Sequence, residues 1–159
     1  MIQRIQTIYL ALVAVFSILG LCLPIGQFYE GTHMVATYNN FMFVQTDQAE
    51  ATYNMGPIAL GILLIIVTLI TMMSIMLFRH RMRQLRLTIF TIILLAGYIG
   101  YYAFLTWKYQ LQMAGIHPAI EYHLCIAAIL PLISIILSCL AIHGIRRDEA
   151  IVRSLDRLR

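Results

Sequence analysis

The chain has 159 residues, 61% of them hydrophobic and 11% charged, with a mean hydropathy of +0.84. A soluble domain of this size has too much surface to hide so many apolar side chains, so lipid is the expected solvent for much of it. The net charge of +4 does not mark a nucleic-acid binder, because the arginines gather in one predicted turn and at the ends rather than along a face.

Met1 to Arg4 is a short basic leader before an apolar run from Ile8 to Ile25. No A-x-A-like cleavage site follows, and the bulky Leu21 precedes Cys22 where a lipoprotein signal carries a small residue. The run therefore reads as an uncut first membrane helix, about residues 7–25, ended by Pro24 and Gly26. Residues 26–56 form the one sizeable polar segment. Within it, Thr32 to Tyr38 and Phe41 to Thr46 are rich in β-branched and aromatic residues. Asn39-Asn40 suits a two-residue hairpin turn, because asparagine tolerates positive φ. A lone hairpin is marginal in water, so it is expected to rest on the outer helix ends as a small extracytoplasmic cap.

Pro57 sits where a missing N–H costs nothing and opens a second span, residues 57–78, about 33 Å long at 1.5 Å per residue. The basic run of residues 79–86 follows. Its Arg79, Arg81, Arg83 and Arg86 resist transfer across a bilayer, so they mark a cytoplasmic turn and set the topology. Residues 87–107 cross back. Tyr98, Tyr101, Tyr102, Trp107 and Tyr109 fit an interfacial aromatic belt, and Ala96 and Gly100 allow close helix packing.

A short outer loop, residues 108–122, leads to a fourth span over 123–143, where Pro131 is expected to bend the helix. Gly144 can end it. The tail, residues 144–159, then reads as a separate amphipathic helix. Ile151, Val152, Leu155 and Leu158 share one face, and Glu149 precedes Arg153 by four. The expected fold is thus a single-domain, all-α bundle of four transmembrane helices. It carries a β-hairpin outside and has both ends in the cytoplasm of a bacterial inner membrane.

Chemistry is sparse. His33, His117, Glu121 and His123 are residue types that bind metal, but their spacing matches no ligand motif, and a polar loop explains them equally. No metal or cofactor is expected. Cys22, Cys125 and Cys139 form no C-x-x-C pair and read as small buried side chains, with a Cys22–Cys125 disulfide as the alternative. Residues 8–25, 57–78, 87–107 and 124–142 contain no Asp, Glu, Lys, Arg or His, which argues against an ion path. Quinone-linked oxidoreductases of the thiol–disulfide or dihaem kind need cysteine pairs or mid-helix histidines that this chain lacks.

The opening Met1-Ile2-Gln3-Arg4-Ile5-Gln6-Thr7-Ile8-Tyr9-Leu10 and the closing Asp148-Glu149-Ala150-Ile151-Val152-Arg153-Ser154-Leu155-Asp156-Arg157-Leu158-Arg159 carry a resemblance. The second has the pattern D-E-x-x-V-R-S-x-D-R-L-R. Together they resemble a family of small four-helix bacterial membrane proteins of unknown function found in Bacteroidota. The resemblance implies no catalytic residues, but it directs attention to the tail.

Two functional expectations follow. The first is a non-enzymatic accessory subunit whose tail touches membrane lipid, a partner protein or a larger complex through Arg146, Arg147, Arg153, Leu155, Asp156, Arg157, Leu158 and Arg159. The second is a lipid-, quinone- or small-molecule-binding protein. Its pocket would lie under the outer hairpin, lined by Tyr98, Tyr101, Tyr102, Trp107, His117 and His123.

Overall fold

The computed structural model describes residues 3–45, 52–77, 81–115 and 119–156, and the side chains of 6–45, 54–77, 82–115 and 119–147. The order is α1 (Gln3–Cys22), β1 (Gly26–Glu30), β2 (His33–Tyr38), β3 (Phe43–Gln45), β4 (Thr52–Asn54), α2 (Ile58–Met76), α3 (Arg81–Ala114), β5 (Ile120–Leu124), a 3-10 turn (Ile126–Ala128) and α4 (Leu130–Asp156). The molecule is mostly helical, with a small antiparallel sheet. Three segments are long and apolar enough to cross a membrane: Ile58–Met76, Met82–Ala114 and Ile126–Arg147. The apolar part of α1, Gln6–Cys22, is shorter.

The helices pack in a ring, α1 against α2 and α4, and α3 against the same two. Buried positions recur at alternating steps of four and three: Gln6, Leu10, Val13, Ser17 and Gly20 on α1; Leu60, Leu64, Val67, Thr71 and Ser74 on α2; Gln84, Thr88, Thr91, Leu95 and Tyr98 on α3. That 3.5-residue period is the seam of knobs-into-holes packing. The outward faces are just as apolar. Ile8, Leu69, Ile93 and Ile136, one on each helix, are 55%, 60%, 60% and 61% exposed. A soluble surface does not carry contiguous apolar area on every side, whereas a lipid-facing one does.

Most serine and threonine hydroxyls of the apolar spans therefore face inward. Ser17, Thr71, Thr88, Thr91, Ser134 and Ser138 each donate to the carbonyl four residues earlier in their own helix, so no hydroxyl among them needs a partner elsewhere.

The sheet runs β4-β3-β2-β1-β5, so the short loop before α4 supplies an edge strand beside β1. The expected outer hairpin is present as β2 and β3, but its turn differs. Tyr38 pairs with Phe43, leaving residues 39–42 as the loop, closed by the Asn39 N–H donating to the Met42 carbonyl at 3.0 Å. No asparagine takes positive φ there; Gly31, at φ 61°, is the residue that uses that conformation, in the β1–β2 turn.

Four other element bounds differ from expectation. Arg81, Arg83 and Arg86 belong to the first turns of α3, not to a loop, and Arg79 lies outside the described residues. α3 continues to Ala114, seven residues past Trp107. Pro131 is the second residue of α4, just after the 3-10 turn, where its missing N–H falls among the unpaired donors of the first turn rather than inside the helix. Gly144 does not end the helix: it is interior to α4, and its absent side chain makes room for Gln6 of α1. The tail is the last part of α4, not a helix of its own.

Candidate functional site

Three places hold the residues that sequence reading singles out: the junction of sheet and helices, the arginine end of the bundle, and a groove beside the sheet.

At the junction, the inner face of the sheet presents Phe28, Tyr38, Phe43 and Tyr122 to the upper part of α3. Phe43 stacks on Tyr109 with centroids 4.4 Å apart, Tyr38 meets Tyr109 at 5.5 Å and Tyr102 at 6.1 Å, and Phe28 meets Tyr122 at 5.0 Å. The Tyr102 and Tyr122 hydroxyls share a hydrogen bond of 2.6 Å. Burial, reinforced by neighbouring phenols, pushes the Tyr38 and Tyr122 hydroxyls above their ordinary range, so both stay neutral at physiological pH. The Tyr38 hydroxyl is fully buried without a partner among the described residues. This cluster is a packed core.

Asn40 ties that core to the bundle, and sequence reading missed it by treating it as a turn former. Pro24 has no N–H, so the carbonyl of Gly20, four residues earlier, lacks its helical donor. The Asn40 Nδ2 supplies one at 2.6 Å. Its Oδ1 accepts from the Tyr98 hydroxyl at 2.8 Å, and its backbone carbonyl accepts from the Gly61 N–H, in the first turn of α2, at 3.0 Å. One fully buried residue thus joins α1, α2, α3 and the sheet. The sequence showed only that Pro24 leaves the Gly20 carbonyl without its helical donor.

Among the described residues, the expected aromatic lining is not gathered round one cavity. Tyr98 points into the core, Tyr101 and Tyr102 are half-buried, and Trp107 is 62% exposed on the surface of α3. His117 lies outside the described residues. His123 belongs to β5 rather than to a helix start; it faces outward against the Tyr29 ring, with its Nε2 3.7 Å from Glu121. His33 pairs with Glu30 on the other side of β1, so the topology separates it from His123. Among the described residues, no three His, Cys, Asp or Glu side chains could hold a metal ion together. Cys22, Cys125 and Cys139 are free thiols.

At the other end, Arg83 and Arg86 of α3 and Arg146 and Arg147 of α4 are exposed. The side chains of Arg153, Leu155, Asp156, Arg157, Leu158 and Arg159 lie outside the described set, but the backbone is helical through Asp156. The last described contact with the bundle is Ile145, which is buried.

The groove, about 360 Å³, is lined by Leu23, Pro24, Leu124, Cys125, Ile126 and Ala127, where α1 and β5 meet the start of α4. That is within the range of roughly 300–1,000 Å³ typical of small-molecule sites. No charged side chain lines it.

No curated protein matches the chain. A family model described as a domain of unknown function, DUF4293, matches residues 2–158, nearly the whole length. The chain, with its ring of apolar helices and its sheet pinned by Asn40, belongs to the DUF4293 family.

Proposed function

We propose that this protein is a non-enzymatic accessory subunit of a bacterial inner membrane. All four helices cross the bilayer, both ends lie in the cytoplasm, the sheet faces outward, and the end of α4 docks on a partner. α1, at 20 residues, would be about 30 Å long, which matches the hydrocarbon thickness. Arg83, Arg86, Arg146 and Arg147 at one end suit the cytoplasmic leaflet.

The observation that carries the docking role is the continuity of α4 through Gly144 to Asp156. A tail that lies flat on the bilayer surface must break where it leaves the span. An unbroken helix instead carries its last turns away from the membrane, by about 16 Å between Ile145 and Asp156 at 1.5 Å per residue. There it is placed for a protein rather than for lipid.

The test compares full-length protein with a chain lacking residues 146–159, each purified in mild detergent from its native membrane. The cut spares Ile145, which belongs to the core. The expected result is a stoichiometric partner lost with the tail while the melting temperature of the bundle holds. A partner retained without the tail, or a lone protein in both preparations, would overturn the docking role.

A further inference from the structure

We infer that the groove between Leu23 and Ala127 seats the acyl chain of a bilayer phospholipid. The inference rests on the membrane-spanning part of the reading above, and not on the docking role.

Depth is the first argument. Asn40 holds Gly20, Gly61 and Tyr98 at one level, and α4 begins at about the level of Gly20, because Gln6 of α1 meets Gly144 of α4. Gln6 to Gly20 and Gly144 to Leu130 are equal runs of helix, about 21 Å each. The groove lies one turn above that level, at Leu23, Pro24 and Ile126. From Leu130 down to Arg146 is about 24 Å of helix, and the 3-10 turn adds several more. The groove and the arginines are thus about 30 Å apart, which is the thickness of the hydrocarbon core. A phospholipid anchored at that outer boundary places the upper part of its acyl chain at the height of the groove.

Chemistry is the second. The lining offers no charge, and its rim is apolar: Ile126 is 75% exposed and Leu124 57%. Leaving them in water would cost about 25 cal/mol for each Å² of apolar area. The groove is also continuous along the chain with the exposed side chains Leu19, one turn earlier on α1, and Ile129, just before α4. A free fatty acid would bring a lone carboxylate to a rim without a cation, whereas a zwitterionic phospholipid carries its own cation beside the phosphate and is the better match to this lining.

The test reconstitutes the full chain into phosphatidylcholine vesicles with a trace of phospholipid bearing a photoactivatable diazirine on one acyl chain. After irradiation, the peptides carrying adducts are mapped. The expected result is enrichment at Leu23 and at residues 124–127 over the plain lipid-facing positions Ile93 and Phe104 of α3. Cys125→Phe, at a half-exposed lining position, should abolish that enrichment by filling the groove and leave the α3 adducts unchanged. Ile126→Ser, at the exposed rim, should weaken it without touching the core. Labelling at the groove no stronger than at α3 would overturn the acyl seat while sparing the membrane reading. Absence of labelling at α3 as well would overturn both.

Discussion

The two halves of the bundle solve the same problem in different ways. Toward the arginine end, buried hydroxyls of α2, α3 and α4 bond mainly to their own backbones, as Thr71, Thr88 and Ser138 do, with one contact between helices, Ser74 to Thr88 at 3.4 Å. Toward the sheet end, the buried polar groups that have partners find them across elements: Asn40 reaches Gly20, Gly61 and Tyr98, and Tyr102 reaches Tyr122, while the Tyr38 hydroxyl has none among the described residues. Local satisfaction lets the helices pack closely without specifying their partners. Long-range satisfaction specifies which elements meet, at the cost of leaving groups stranded when one partner is lost. The sheet end should therefore be the brittle one.

The largest effect is expected from Asn40→Ala. It strands the Gly20 carbonyl, whose helical donor Pro24 cannot provide, and the Tyr98 hydroxyl. At about 1–3 kcal/mol for each buried unsatisfied group, the loss should be roughly 2–6 kcal/mol in detergent unfolding. A loss below 1 kcal/mol would mean that water or relaxation replaces Asn40.

Gly61→Ala should come next. A Cβ there overlaps the Phe41 ring, so the substitution should cost about 1–3 kcal/mol as an overpacked site. In a Phe41→Ala background the clash is gone, and the better helix propensity of alanine should make the same change neutral or stabilising by up to about 1 kcal/mol. The reversal of sign, read from a double-mutant cycle, distinguishes ring contact from a general loss of helix packing.

Ser138→Ala should have the smallest effect. Its hydroxyl bonds only to the Ser134 carbonyl in its own helix, so removal should cost less than about 1 kcal/mol. A larger loss would show that the hydroxyl bonds to a neighbouring helix.

Much of the helical layout was legible because apolar runs free of charge have few readings. The strands β2 and β3 were legible too, from their aromatic and β-branched residues. The seam of the bundle was not. Outward Ile, Leu and Met are as apolar as the inward residues, so no amphipathic stripe marks the buried face. β5 did carry a signal, since Ile120-Glu121-Tyr122-His123-Leu124 alternates apolar and polar. Its partner β1 lies some ninety residues away, however, and pairing at that separation leaves no local trace.

Pro131 and Gly144 show the opposite failure. Each is a strong local punctuation mark, and each is overruled by where the helix starts or by which neighbour it packs on. The role of Asn40 required knowing that the Gly20 carbonyl is buried, and that is a tertiary fact.

Amide hydrogen exchange on Asn40→Ala beside the unmodified chain tests the contrast most directly. The sheet and the last turn of α1 should lose protection, whereas the amides of α4 between Ser134 and Ala141 should keep theirs. Equal loss of protection in both regions would contradict the account, because it would make the two halves a single unit with no special dependence on Asn40.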